Sequence, residues 1–164
     1  MPTKQGGLEL LNDPVAIEML QAPFPMRLSY IWTDGTPRVV PIGFHWDGTD
    51  IVIGSPPDAP KLKALKANPK VALTIDSNYM PYHVLLIRGT ASMTEHEGII
   101  PEYRAYCFRY MGQEGGEAWL QQVSSLINTM VRIAIRPEWV GIIDFETRLP
   151  SAVERAIEAT MGGA

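Results

Sequence analysis

The residues best placed to do chemistry lie in one run, Gly54-Ser55-Pro56-Pro57-Asp58-Ala59-Pro60-Lys61-Leu62-Lys63. A β-type segment ends there in a glycine and a hydroxyl, and a helix is expected to begin near Pro60-Lys61. Helix N-termini present unpaired amides and a partial positive charge, the combination that takes up a phosphate. A lysine in the first turn opposes the helix dipole, so a bound anion would account for its placement. Lys61, Lys63, Lys66 and Lys70 also have a plainer reading, as a solvated basic face.

Other chemistries find less support. The three histidines, His45, His83 and His96, show no His-x-x-x-His or Glu-x-x-His spacing on one element, so no metal site is expected. Cys107 is the single cysteine, set in an aromatic-rich helical stretch, and reads as a small buried apolar residue rather than a nucleophile. Neither a Gly-x-Ser-x-Gly elbow nor a Gly-x-x-x-x-Gly-Lys loop occurs. A net charge of −4 gives no general nucleic-acid surface, and no apolar run approaches the roughly 20 residues that cross a bilayer. Met1 to Gly7 holds no apolar stretch, so no secretory leader and a cytoplasmic location are expected. One cysteine fits a reducing compartment.

The elements that must position these residues are mostly strands. With 164 residues, 46% hydrophobic and 20% charged, the chain is expected to form one domain with its own core. Asn12-Asp13-Pro14 marks a helix start, and Pro23 and Pro25 stop the helix. Strands are expected over 27–33, 38–46 and 50–54, joined by Asp34-Gly35 and Asp47-Gly48 turns, an antiparallel meander. In the helix expected over 61–67, Leu62 and Leu65 share a face and Lys63 and Lys66 turn away. Strands over 71–76 and 82–93 precede helical spacing over 99–111, interrupted at Gly112 and Gly115-Gly116, and again over 117–127. Two last strands, 130–135 and 139–145, flank Arg136-Pro137. A final helix over 151–160 is expected to be capped by Ser151, with Glu154 at the capping-box position. Many antiparallel strands with few helices give an α+β, mainly β class: a small barrel decorated by helices.

Taken in order, Arg38-Val39-Val40-Pro41-Ile42-Gly43, Trp46-Asp47-Gly48, Ile53-Gly54-Ser55, Lys61 to Leu65 and Asn68-Pro69-Lys70-Val71-Ala72-Leu73 resemble the flavin-binding core of pyridoxamine-phosphate-oxidase-like proteins. Ile87-Arg88-Gly89-Thr90-Ala91 resembles that family's long glycine-containing strand. Arg132-Ile133-Ala134-Ile135-Arg136-Pro137 resembles its penultimate strand and turn. The likeness spans roughly residues 12–148, leaving 149–164 as a C-terminal helical extension of one domain over 1–164.

The resemblance implies a split β-barrel of six to seven antiparallel strands and a homodimer with the cofactor at the subunit interface. The cofactor implied is FMN, with the deazaflavin coenzyme F-420 as the alternative, and the activity is hydride transfer to a small molecule. A non-catalytic flavin carrier, or a heme binder using a histidine such as His83, is a further alternative. Arg38, Val39, Val40, Pro41 and Ile42 would run along the isoalloxazine and ribityl chain. Gly54 and Ser55 would sit at the phosphate end, with Lys61 on the phosphate and Lys63 compensating for a missing cation. Oxidase members of the family often carry Ser-Arg-Lys where this chain has Ala59-Pro60-Lys61. Trp139 and Tyr82-His83-Val84 would come from the second subunit. Lys63, Lys66 and Arg109 would be available to the longer acidic tail of a deazaflavin. Those oxidases also end on an Arg-x-His pair that handles substrate; Arg148-Leu149-Pro150 is the nearest match here, without the histidine.

Overall fold

The computed structural model describes residues 5–162; Met1 to Lys4, part of the segment read for a leader, lie outside them. Seven strands form one antiparallel sheet in the order β2-β1-β5-β6-β7-β4-β3. They are β1 (Met26–Ile31), β2 (Pro37–Ile42), β3 (His45–Trp46), β4 (Ile51–Ser55), β5 (Lys70–Asp76), β6 (Val84–Glu97) and β7 (Thr129–Ile143). Four helices accompany them: α1 (Pro14–Leu20), α2 (Pro60–Ala67), α3 (Pro101–Leu126) and α4 (Ser151–Met161). This is the split β-barrel expected from the sequence, α+β in class.

The two long strands make the split. The first half of β6 pairs with β5 and with the end of β7, while its second half pairs with the start of β7, which also carries β4. One lobe is thus β2-β1-β5 and the other β4-β3, joined through β6 and β7. Alternation places Met26, Leu28 and Tyr30 of β1, and Val71, Leu73 and Ile75 of β5, in one core with Leu85 and Ile87 of β6.

Several boundaries differ from the sequence expectation. The strands expected over 130–135 and 139–145 are a single strand, β7. Its apolar positions change parity, from Val131, Ile133 and Ile135 to Val140 and Ile142, yet all are buried. The register explains this: Arg88 faces Trp139 but Gly89 faces Pro137, so Glu138 is one residue extra. A β-bulge absorbs it and keeps both halves facing inward. The segment 38–46 breaks at Gly43-Phe44 into β2 and β3, β1 ends at Ile31, and β6 starts at Val84 rather than Tyr82.

The helices behave similarly. Asp13 caps α1, its Oδ1 accepting the Val15 amide at 2.9 Å. α3 runs through Gly115-Gly116 and breaks only at Gly112, whose φ of 75° and ψ of −177° suit glycine alone. The break folds α3 back on itself, so that the Trp119 indole donates to the Tyr103 hydroxyl at 2.9 Å. Ser151 does not cap α4. Pro150 holds that position, and the Glu154 carboxylate instead accepts the Leu149 amide at 3.0 Å.

Candidate functional site

The site expected from sequence is built on β2, the end of β4 and the start of α2. β4 is buried on both faces. Ile51 and Ile53 enter the main core, and Val52 lies under Ile100 and Met130. Its end passes through Pro56 to Ala59 into α2, whose Ala64 and Leu65 are buried, and α2 packs on β1. β1 in turn carries β2, with Arg38 opposite Tyr30 and Ile42 opposite Met26. β1 therefore adjoins both α2 and the expected cofactor strand.

β2 is an edge strand. Its prolines, Pro37 and Pro41, cannot donate to a ladder and are tolerated there for that reason. Val40 and Ile42 pack against the core, while Val39 is 65% exposed. Arg38 lays its guanidinium over the Trp32 ring, 4.2 Å from the centroid.

At the phosphate end the candidates divide. Lys61 follows Pro60 in the first turn of α2, where Ala59 offers no side-chain cap. It is partly buried, and burial pushes the ammonium below the usual lysine range. Among the described residues neither Lys61 nor Arg38 forms an ion pair. Lys63 is exposed on the next turn. Gly54 lies beneath α3: a Cβ there would stand 2.6 Å from Met130 Sδ and 2.8 Å from Tyr103 Cδ2. Ser55 is fully buried, its hydroxyl donating to the Pro56 carbonyl at 3.3 Å. In the described chain Lys61 is thus half-buried and Lys63 exposed, while the side-chain positions of Gly54 and Ser55 lie inside.

Other expected contacts are placed elsewhere. Trp139 stands four strands from β2, roughly 19 Å along the sheet at the usual strand spacing. The Arg88 guanidinium stacks on its ring at 4.1 Å. Arg109 is already engaged. It donates to the carbonyls of Ala22 and Phe44 and approaches His45 Nδ1 at 3.4 Å, tying α3 to the start of β1 and to the β2–β3 corner. That contact and burial together lower the His45 pKa, burial contributing most. Lys70 is held by Glu138 at 3.0 Å and by the Thr90 hydroxyl at 2.7 Å, which separates it from the other lysines. Arg148 is 8% exposed and bonds Asp13 at 2.8 Å. Cys107 is buried, as its setting predicts, and its thiol is pushed up by burial.

Two groupings were not, or only partly, legible in the sequence. Glu18 of α1 accepts from the Tyr79 hydroxyl and pairs with His83 Nδ1, joining residues more than sixty positions apart. The parallel stack of Tyr106 and Tyr110 was visible as helical spacing, but its packing beside Arg109 was not.

Residues 13–144 match the family model described as pyridoxamine 5'-phosphate oxidase. The chain belongs to the pyridoxamine 5'-phosphate oxidase-like family. None of the curated proteins matches it by sequence. Solved structures share the family's fold at low identity. An F420 reductase is 23% identical over 76% of this chain and 94% of its own, with a TM-score of 0.56. A conserved hypothetical protein of Mycobacterium tuberculosis is 17% identical over 88% and 91%, with a TM-score of 0.64. The heme storage protein of Vibrio cholerae is 21% identical over 80% and 93%, with a TM-score of 0.57. In this chain Ala59-Pro60 precede Lys61 and Arg148 is paired with Asp13.

Proposed function

We propose that the chain is a flavin-dependent oxidoreductase that binds FMN along β2, with its phosphate at the start of α2. The observation that carries the reading is Lys61, a partly buried cation at an uncapped helix start with no ion-pair partner among the described residues. Burying an ammonium without a counter-charge is costly, and a phosphate at that position relieves the cost. Arg38 is a second cation that forms no ion pair among the described residues, held on Trp32 beside the exposed face of β2. These residues fit a flat, anionic cofactor.

When bound, the isoalloxazine supplies the hydride chemistry, and the protein's part is to bind and orient it. Lys61 and the α2 amides anchor one end. Val39 and Pro41 offer exposed apolar side chains to the ring system, and the backbone of Val40 and Ile42 lies along the same edge. Trp139 stands four strands from β2 along the sheet of its own protomer. Its contact with the cofactor comes, in this proposal, from the second subunit of a homodimer.

The deazaflavin reading uses the same elements. Lys63 and Lys66 favour it, since both are exposed on α2 and neither is ion-paired among the described residues, so they can meet a longer acidic tail. Arg109 takes no part in that, being committed to two carbonyls. The test is the absorbance of the purified protein, followed by mass spectrometry of the released cofactor. Oxidised-flavin bands and the FMN mass are expected. A single shorter-wavelength deazaflavin band would favour the alternative, and a Soret band or no cofactor at all would contradict both.

A further inference from the structure

The helix α4 stands largely uncovered among the described residues. None of its residues is buried, although Val153, Ala156, Ile157, Thr160 and Met161 fall at helical spacing and make one largely apolar stripe. Its root, by contrast, is firmly fixed. Asp144 accepts the amides of Glu146, Thr147 and Arg148, and Arg148 is clamped to Asp13 of the α1 cap. A frayed tail would not be anchored in this way.

A second uncovered apolar surface lies just before that root. Phe145 is held at a φ of 59°, rare for a phenylalanine, and its ring meets Tyr82 edge-on at 5.8 Å. Tyr79 and Met80 lie on the same loop as Tyr82, between β5 and β6, and are exposed with it. Met80 is 66% exposed and Met161 of the stripe 76%, while Val153, Ile157, Tyr79, Tyr82 and Phe145 each expose between 38% and 48%. Stripe and patch are exposed together, so the fixed root keeps α4 off the patch of its own chain.

We infer that α4 is an exchanged arm: the stripe of one protomer lies on the Tyr79–Tyr82–Phe145 patch of a second copy, and the reverse. The contact is isologous and self-complementary, as a closed two-fold dimer requires. At roughly 200 Å² for a large side chain, the two surfaces leave about 700 Å² per copy in water. A standard interface uses about 800 Å² per partner. The inference rests on the homodimer of the proposed function and assigns the element that closes it.

The test is cross-linking of the full chain under a mild oxidant, read on a non-reducing gel, with sedimentation equilibrium beside it. Cys107 is buried, so introduced cysteines report the contact. A chain carrying both Ile157→Cys and Tyr82→Cys should yield a covalent dimer, and Ile157→Cys alone should not. Ile157→Glu should weaken dimerisation at least tenfold. A cross-linked monomer, or a covalent dimer from Ile157→Cys alone, would overturn the arm exchange. So would a dimer constant unmoved by Ile157→Glu together with no cross-link, while leaving the dimer itself intact. A wild-type monomer would overturn the dimer and the arm together. FMN binding by Ile157→Glu, measured in parallel, reads the cofactor proposal separately.

Discussion

Asp144 holds the turn before α4 with both carboxylate oxygens, Oδ1 accepting three amides and Oδ2 the Thr147 hydroxyl at 2.6 Å. Burial pushes its pKa up, but the hydroxyl and the amides of Arg148, Glu146 and Thr147 outweigh it and bring the group from 3.8 to about 2. A folded-state pKa below the unfolded one contributes stability above pH ~4 that is lost as the pH falls toward ~2. Asp144→Ala should cost on the order of 2 kcal/mol at neutral pH, because three amides lose their acceptor. Urea unfolding at a series of pH values should show the gap between wild type and Asp144→Ala closing across that acid window. A gap constant from pH 7 to pH 2 would contradict the assignment. At the same scale, Lys61 was legible in the sequence because a lysine in a first helical turn is out of place electrostatically. The inward placement of Gly54 and Ser55 was not legible, because it depends on Tyr103 and Met130 arriving from α3 and β7.

Element types were readable where periodicity was undisturbed, as in β1, β5 and α2. Boundaries failed where tertiary structure repairs a local interruption. Arg136-Pro137 looks like a turn, but a bulge at Glu138 lets β7 continue, and the evidence for it is a parity change that only the β6 register makes meaningful. Gly115-Gly116 looks like a break, yet Gly116 lies against Phe108, where a Cβ would stand 2.7 Å from the ring. Ser151 followed by Glu154 has capping-box spacing, but Pro150 starts the helix one residue early and Glu154 reaches Leu149 instead. The Gly112 break itself was visible. Gly112→Ala should destabilise the fold by roughly 1–3 kcal/mol, because its backbone region is closed to residues with a Cβ. Urea unfolding would measure this. A variant as stable as wild type would mean that α3 does not need its reversal.

At the scale of the whole molecule, β2 and Trp139 stand four strands apart along the sheet, and the proposed homodimer is what would bring the two together at one cofactor. The arrangement also bears on substrate. The Arg-x-His pair that the family resemblance implies is not present at 148–150: Arg148 is buried against Asp13 and is followed by Leu149-Pro150. The FMN-loaded protein should therefore oxidise pyridoxamine 5'-phosphate no faster than free FMN, measured by pyridoxal 5'-phosphate formation; brisk turnover would show that Arg148 is not committed to Asp13. The flavin site itself is tested most directly by titrating apo-protein with FMN under flavin fluorescence, for wild type, Lys61→Ala and Lys66→Ala. A charge-assisted contact of roughly 1.5–3 kcal/mol corresponds to a ten- to hundredfold affinity loss. That loss is expected for Lys61→Ala, with Lys66→Ala close to wild type. Equal affinities for both variants, each near wild type, would contradict the placement of the phosphate at α2.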